Sequence, residues 1–160
     1  MSVATNLSKA QATPRRLLVS ALVSGLCLVS LPSLAAGAQP TPVIEHHTIA
    51  IEGIDVFYRI AGPPGAPVIL LLHGFPSSSH MFRNLIPHLA ERYRVIAPDY
   101  PGFGESAQPS LQSFPYTFEA ITDIIDRFTQ SVGAKSYFLY MQDYGGPVGF
   151  RLALKHPERV

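Results

Sequence analysis

The chain has 160 residues, 47% of them hydrophobic and 14% charged, the composition of a single globular domain, which excludes a disordered or collagen-like chain. Its net charge of +1 comes from an uneven distribution: Lys9, Arg15 and Arg16 precede every acidic residue, leaving nine basic against eleven acidic residues from position 39 onward. That balance gives no electrostatic footprint for nucleic acid or an anionic membrane, and none is expected as a partner.

Residues 1–38 read as an export signal. Arg15-Arg16 precede "LLVSALVSGLCLVSL", an apolar run too short to span a bilayer, and small residues Ala36 and Ala38 follow. The pair fits a twin-arginine signal as well as general secretion, and cleavage is expected after Ala38, with Ala36 as the neighbouring site and a short membrane anchor or buried helix as the alternative to a signal. The protein is thus expected to be exported, periplasmic or secreted, and free of the membrane once the signal is removed. Cys27 is the only cysteine and lies inside the signal, so the exported chain has no disulfide, thiol nucleophile or cysteine-ligated metal.

Residues 39–46 read as a proline-containing linker, and 47–160 as the folded part. "HTIAIEGIDVFYRIAG" alternates apolar and polar residues about Gly53, the pattern of a β-hairpin. "GPPGAP" is a turn, and "VILLLHG" is a continuous apolar run suited to a strand buried on both faces. Phe82, Leu85, Ile86 and Leu89 have helical spacing, with Pro87 required to open a new turn. "YRVIAPD" is the next strand and "YPGFGESAQPS" a loop. Thr117 can cap a helix whose inner face carries Phe118, Ile121, Ile125, Phe128 and Val132, with Gly133 as its stop. "SYFLYM" is a further short strand, and a glycine-rich amphipathic segment follows it. Strands alternating with helices predict an α/β fold with a doubly wound, mostly parallel sheet. Ligands bind beyond the carboxyl ends of such strands.

Three motifs fall at those ends: "HGFP" at 73–76, "DYPGFGES" at 99–106 and "QDYGG" at 142–146. Taken alone, Asp143 reads either as the cap of the following helix or as a chemical group. The order and spacing of the three motifs resemble the α/β-hydrolase family, in its aspartate-nucleophile branch of epoxide hydrolases and haloalkane dehalogenases, from about residue 44 to the end.

The resemblance implies an α/β-hydrolase fold cut after the helix that follows the nucleophile. It makes Asp143 the nucleophile on a strained strand-to-helix elbow, and the backbone N–H groups of Phe75 and Tyr144 the oxyanion donors. Gly145 and Gly146 supply the small neighbours an elbow needs on one side, whereas Met141 stands where a small residue is expected on the other. An aspartate carboxylate, ionised at neutral pH with a reference pKa of about 3.9, displaces a leaving group from an sp³ carbon rather than attacking esters. The implied substrate is a small hydrophobic epoxide or alkyl halide, with no cofactor and no metal. "HGFP" resembles the epoxide branch and "QDYGG" the dehalogenases. Dehalogenases hold halide with a tryptophan where this chain has Tyr144, and the chain has no Trp, which inclines the reading to an epoxide.

His73 is expected to position backbone, and Asp99 to organise its loop through hydrogen bonds. His46, His47, His80, His88 and His156 show no metal-ligand spacing with a carboxylate. The family's catalytic histidine, acid and helical cap follow the elbow, beyond "HPERV". The 160-residue chain is therefore expected to be incomplete and inactive by itself. The alternatives are a non-catalytic scaffold on this fold or a truncated gene remnant.

Overall fold

The structure, a computed structural model, describes residues 42–160; the signal reading and the first linker residues fall outside that range. β1 (Glu45–Ile51) and β2 (Ile54–Ala61) form the hairpin, joined by Glu52 and Gly53, both at positive φ (51° and 80°). Two successive residues with positive φ make the turn whose twist matches that of paired strands. β1 starts at Glu45, two residues inside the stretch read as linker, because Glu45 already pairs with Ile60.

β2 lies antiparallel to β4 (Arg94–Pro98), and β3 (Val68–Leu72) runs parallel to both β4 and β5 (Phe138–Met141). The sheet order is β1-β2-β4-β3-β5. The apolar runs are buried on both faces, as their continuity implied. Leu70, Leu72 and Ile96 enter one core with α2 (Phe118–Ser131) and α3 (Gly145–Lys155), while Leu71, Val95 and Ala97 enter a second core with α1 (Leu85–Ala90). Successive side chains alternate between the two cores because the strand period is two. β5 is paired only with β3 among the described residues, and Phe138 and Tyr140 on its outer half are 60% and 48% exposed.

The helical spacing at 82–89 is realised in two pieces, a 3₁₀ turn at Ser79–Phe82 and the short α1. Pro87 is the third residue of α1, where its missing N–H interrupts no intrahelical bond. Thr117 caps α2 as expected, its hydroxyl accepting from Ala120 N–H at 3.2 Å, and Gly133 (φ 73°) ends the segment.

The C-terminal halves of α2 and α3 are joined by an ionic cluster centred on the buried carboxylate of Asp126. The carboxylate of Asp126 receives Arg159 Nη1 at 2.9 Å and Gln130 Nε2 at 3.2 Å on one oxygen. The other oxygen takes Lys155 Nζ and His156 Nε2, each at 3.0 Å. Burial alone would raise the pKa of Asp126, but the hydrogen bonds from His156, Lys155 and Gln130 outweigh it and bring it to about 2. A carboxyl group whose pKa is lower folded than unfolded stabilises the fold above its unfolded value, and that stabilisation is lost as pH falls through the folded value. Thermal melts should therefore show a falling midpoint between pH of about 4 and about 2, and Asp126→Asn should flatten that part of the profile. An unchanged slope in the variant would remove Asp126 from the acid response.

Candidate active site

β3 and β5 are adjacent and parallel, with Leu72 opposite Met141, so the segments that follow them leave the sheet at one level. After β5 the chain turns sharply at Asp143, whose φ of 50° lies in the left-handed region, and α3 begins at Gly145. The turn is closed by Gly145 N–H donating to the carbonyl of Gln142 at 2.8 Å and Gly146 N–H to that of Asp143 at 2.8 Å.

Three glycines make this turn possible, and only one of them is in the pair that the sequence points to. A Cβ on Gly145 would collide with the carbonyl of Leu72, whereas Gly146 faces open space and has no steric requirement for glycine. Gly74 lies directly against Asp143 and Gln142, where any side chain would overlap both. On the other side of the elbow, the bulk of Met141 is accommodated by Gly149, one turn into α3, whose missing side chain leaves room for the Met141 sulfur. Met141 is thus compatible with the elbow.

The Asp143 carboxylate does not cap α3 in the usual way, by reaching the second or third N–H of the helix. Its Oδ1 accepts two hydrogen bonds from different segments, from Phe75 N–H at 2.9 Å and from Tyr144 N–H at 2.7 Å. Among the described residues Oδ2 accepts none. Asp143 is exposed, so the acid is not buried between strand and helix and incurs no large desolvation cost. The three residues singled out from the sequence, Asp143, Phe75 and Tyr144, are therefore brought into contact.

The loop that presents Phe75 N–H is fixed from behind by buried polar groups. His73 Nε2 accepts from Tyr100 N–H at 3.2 Å, which leaves Nδ1 as the protonated nitrogen, donating to the carbonyl of Gly74 at 3.1 Å. Burial pushes the His73 pKa down, and the ring stacks on Tyr100 with centroids 4.1 Å apart. Both ring nitrogens are committed, so His73 is a positioning group, as the sequence suggested. Asp99, fully buried, accepts from Ser79 N–H at 2.6 Å and Glu105 N–H at 2.9 Å, tying the turn after "HGFP" to the glycine-rich loop. Buried Arg59 adds a hydrogen bond to the Ser79 hydroxyl. Arg59 and Ser79 were missed from the sequence, where an arginine in an alternating strand reads as solvent-facing.

Beside Asp143 lies a cleft of about 440 Å³ walled by the rings of Phe75, Phe103, Tyr116, Phe118 and Tyr144, with Glu119 at one side. Tyr144 packs on Phe118 and Phe75, with centroids 5.0 and 5.7 Å apart. Tyr116, at φ 49°, donates its hydroxyl to the carbonyl of Pro109 at 2.6 Å and packs over Gly102. The hydrogen bond from Arg151, helped by one from its own backbone, holds Glu119 below the usual carboxylate range. A larger hollow of about 760 Å³, near Pro42, Gly62 and Arg92, lies at the opposite end of the strands and contains none of the motif residues.

Known proteins share this fold. The family described as alpha/beta hydrolase fold matches residues 67–160. An uncharacterized hydrolase of Saccharomyces cerevisiae is 46% identical over 119 residues, covering 74% of this chain and 40% of the yeast protein. A solved haloalkane dehalogenase from Bradyrhizobium elkani superposes with a TM-score of 0.70 at 36% identity, covering 74% of this chain and 40% of its own. An epoxide hydrolase variant from Vigna radiata gives 0.66 at 35% identity, covering 73% and 36%. The chain spans about 40% of the length of the curated relatives it matches. From residue 67 to Val160 the match carries both the glycine-backed elbow and the strand-end loops that face it, and the chain belongs to the α/β-hydrolase fold family.

Proposed function

We propose that the whole protein is a hydrolase that opens an epoxide through an ester formed on Asp143. The observation that carries this reading is the asymmetry of the carboxylate: Oδ1 is held by two backbone donors, Oδ2 accepts no hydrogen bond among the described residues, and both donor residues, Phe75 and Tyr144, line a largely aromatic cleft. A lone pair on Oδ2 forms the new bond to carbon as the epoxide C–O bond breaks, and the departing oxygen takes up a proton. In the ester Oδ1 becomes the carbonyl oxygen, already facing Phe75 and Tyr144 N–H. Water then adds at the carboxyl carbon, and the negative charge that develops on Oδ1 meets those donors. Collapse breaks the bond from that carbon to Oδ2 and releases the diol. Donors preset in this way contribute roughly 10²- to 10³-fold each to the rate.

The halide alternative uses the same displacement, and relatives of both kinds are known. Epoxide is favoured by "HGFP" and by Tyr144 at the position where the resemblance gives dehalogenases a tryptophan. Hydrolysis of the ester requires a base that activates water. No histidine among the described residues bonds to Asp143 or lines its cleft. The 160-residue chain is accordingly expected to stop at the ester. Incubated with a reactive epoxide, it should gain one adduct on Asp143, located by peptide mass spectrometry, in preference to Asp99, and Asp143→Asn should abolish the adduct. Steady multiple turnover by the chain, or equal labelling of every exposed carboxylate, would contradict the reading.

The protein is also proposed to work outside the cytoplasm, on the strength of the apolar run and small residues before Gln39. A bacterial host should trim it to an N-terminus near Gln39, and Arg15→Lys with Arg16→Lys should block export if the route is twin-arginine. Recovery of only the intact Met1 form from the cytoplasm would refute export.

A further inference from the structure

We infer that the cleft beside Asp143 selects electrophiles that carry a positive charge, such as a quaternary or protonated amine, over anionic ones, with Glu119 as the discriminating residue. The inference rests on the reading of Asp143 as a nucleophile and adds the class of substrate. Among the described residues, Glu119 is the only charged side chain on the cleft wall, and no lysine, arginine or histidine lines it. Asp143 adjoins that wall through Tyr144, its neighbour in sequence, and Glu119 is the carboxylate on the wall itself.

Arg151 pairs with Glu119 but does not line the cleft. Its Nε and Nη2 both donate to Oε1 of Glu119, at 2.9 and 2.7 Å, and its Nη1 donates to the carbonyl of Pro147 at 3.0 Å. Each guanidinium nitrogen thereby makes one hydrogen bond, and Oε2 of Glu119 takes none of the three. Of the pair, Glu119 is the member that lies on the cleft wall. The rest of the wall is aromatic, and ring faces attract cations through their quadrupole. One ring already does so, since the Arg151 guanidinium sits 5.6 Å from the centroid of Phe118. An ammonium group in the cleft gains both contributions, whereas a carboxylate gains neither and is repelled by Glu119.

The test compares three epoxides of similar size on the full 160-residue chain: glycidyltrimethylammonium, methyl glycidyl ether and glycidate. The initial rate of Asp143 adduct formation is read by mass spectrometry. The cation should label faster than the ether, and the ether faster than glycidate, with about tenfold between the extremes at low salt. The spread should narrow as salt is raised, because exposed charges are screened. Glu119→Gln should lower the cation-to-ether ratio and Arg151→Gln should raise it, and opposite movements are not produced by a general loss of structure. Asp143 adducts whose rates ignore charge, or a charge preference unmoved by Glu119→Gln, would overturn the inference while leaving the nucleophile intact. Absence of an Asp143 adduct with all three would overturn the nucleophile reading. In that event saturation-transfer NMR with choline and its uncharged isostere 3,3-dimethylbutan-1-ol still decides the preference, since tighter binding of choline that is lost in Glu119→Gln supports it and equal binding refutes it.

Discussion

Two backbone N–H groups from different segments meet on one oxygen of Asp143, and the geometry of the site depends on that meeting. Phe75 N–H follows β3 and Tyr144 N–H follows β5. They can share an acceptor only because β3 and β5 are neighbours in register, with Leu72 opposite Met141. The parallel pairing levels the strand ends, and the left-handed turn at Asp143 directs the carboxylate back across them. Where backbones approach this closely a side chain has no space, so Gly74 and Gly145 are fixed by contact, with Gly149 making room for Met141 in the next layer.

The donors are held in place from behind as well. Asp99, His73, Arg59 and Ser79 are all buried, and each hydrogen bond they make ends on a backbone group or a side chain of a neighbouring strand-end loop. Buried polar groups that are satisfied in this way resist rearrangement, since breaking one bond leaves an unpaired group out of reach of water. The Phe75 N–H is consequently preset rather than recruited. Preset dipoles need no reorganisation when charge develops beside them, which is the condition for effective electrostatic stabilisation.

Most of this was legible in the sequence because the signals were local. The hairpin about Gly53, the two buried strands, the Thr117 cap and the three strand-end motifs each rest on neighbouring residues. The period-two and 3.6-residue patterns then place them on the fold. What was not legible depends on contacts between segments far apart in the chain. Gly146 looks as necessary as Gly145, and only the position of Leu72 distinguishes them. Gly149 is marked by nothing local, because its role is set by the size of Met141 eight residues earlier. The inward turn of Arg59 follows from the position of Ser79, twenty residues later. The aromatic wall brings Phe75, Phe103, Phe118 and Tyr144 together from four segments, and Glu119 joins it because Thr117 starts α2 at that point.

The central claim is that one oxygen of Asp143 is held by Phe75 and Tyr144 while the other accepts no hydrogen bond among the described residues. Amide proton shifts of those two residues read this directly, because a hydrogen bond to a carboxylate moves an N–H resonance downfield. In ¹H–¹⁵N spectra both amides should lie downfield of the others in their segments and should move upfield together in Asp143→Ala, with Glu119→Gln as the control that leaves them in place. Ordinary shifts for both, or a response of Tyr144 alone, would show that Phe75 N–H does not reach the carboxylate and that the shared donor pair does not form.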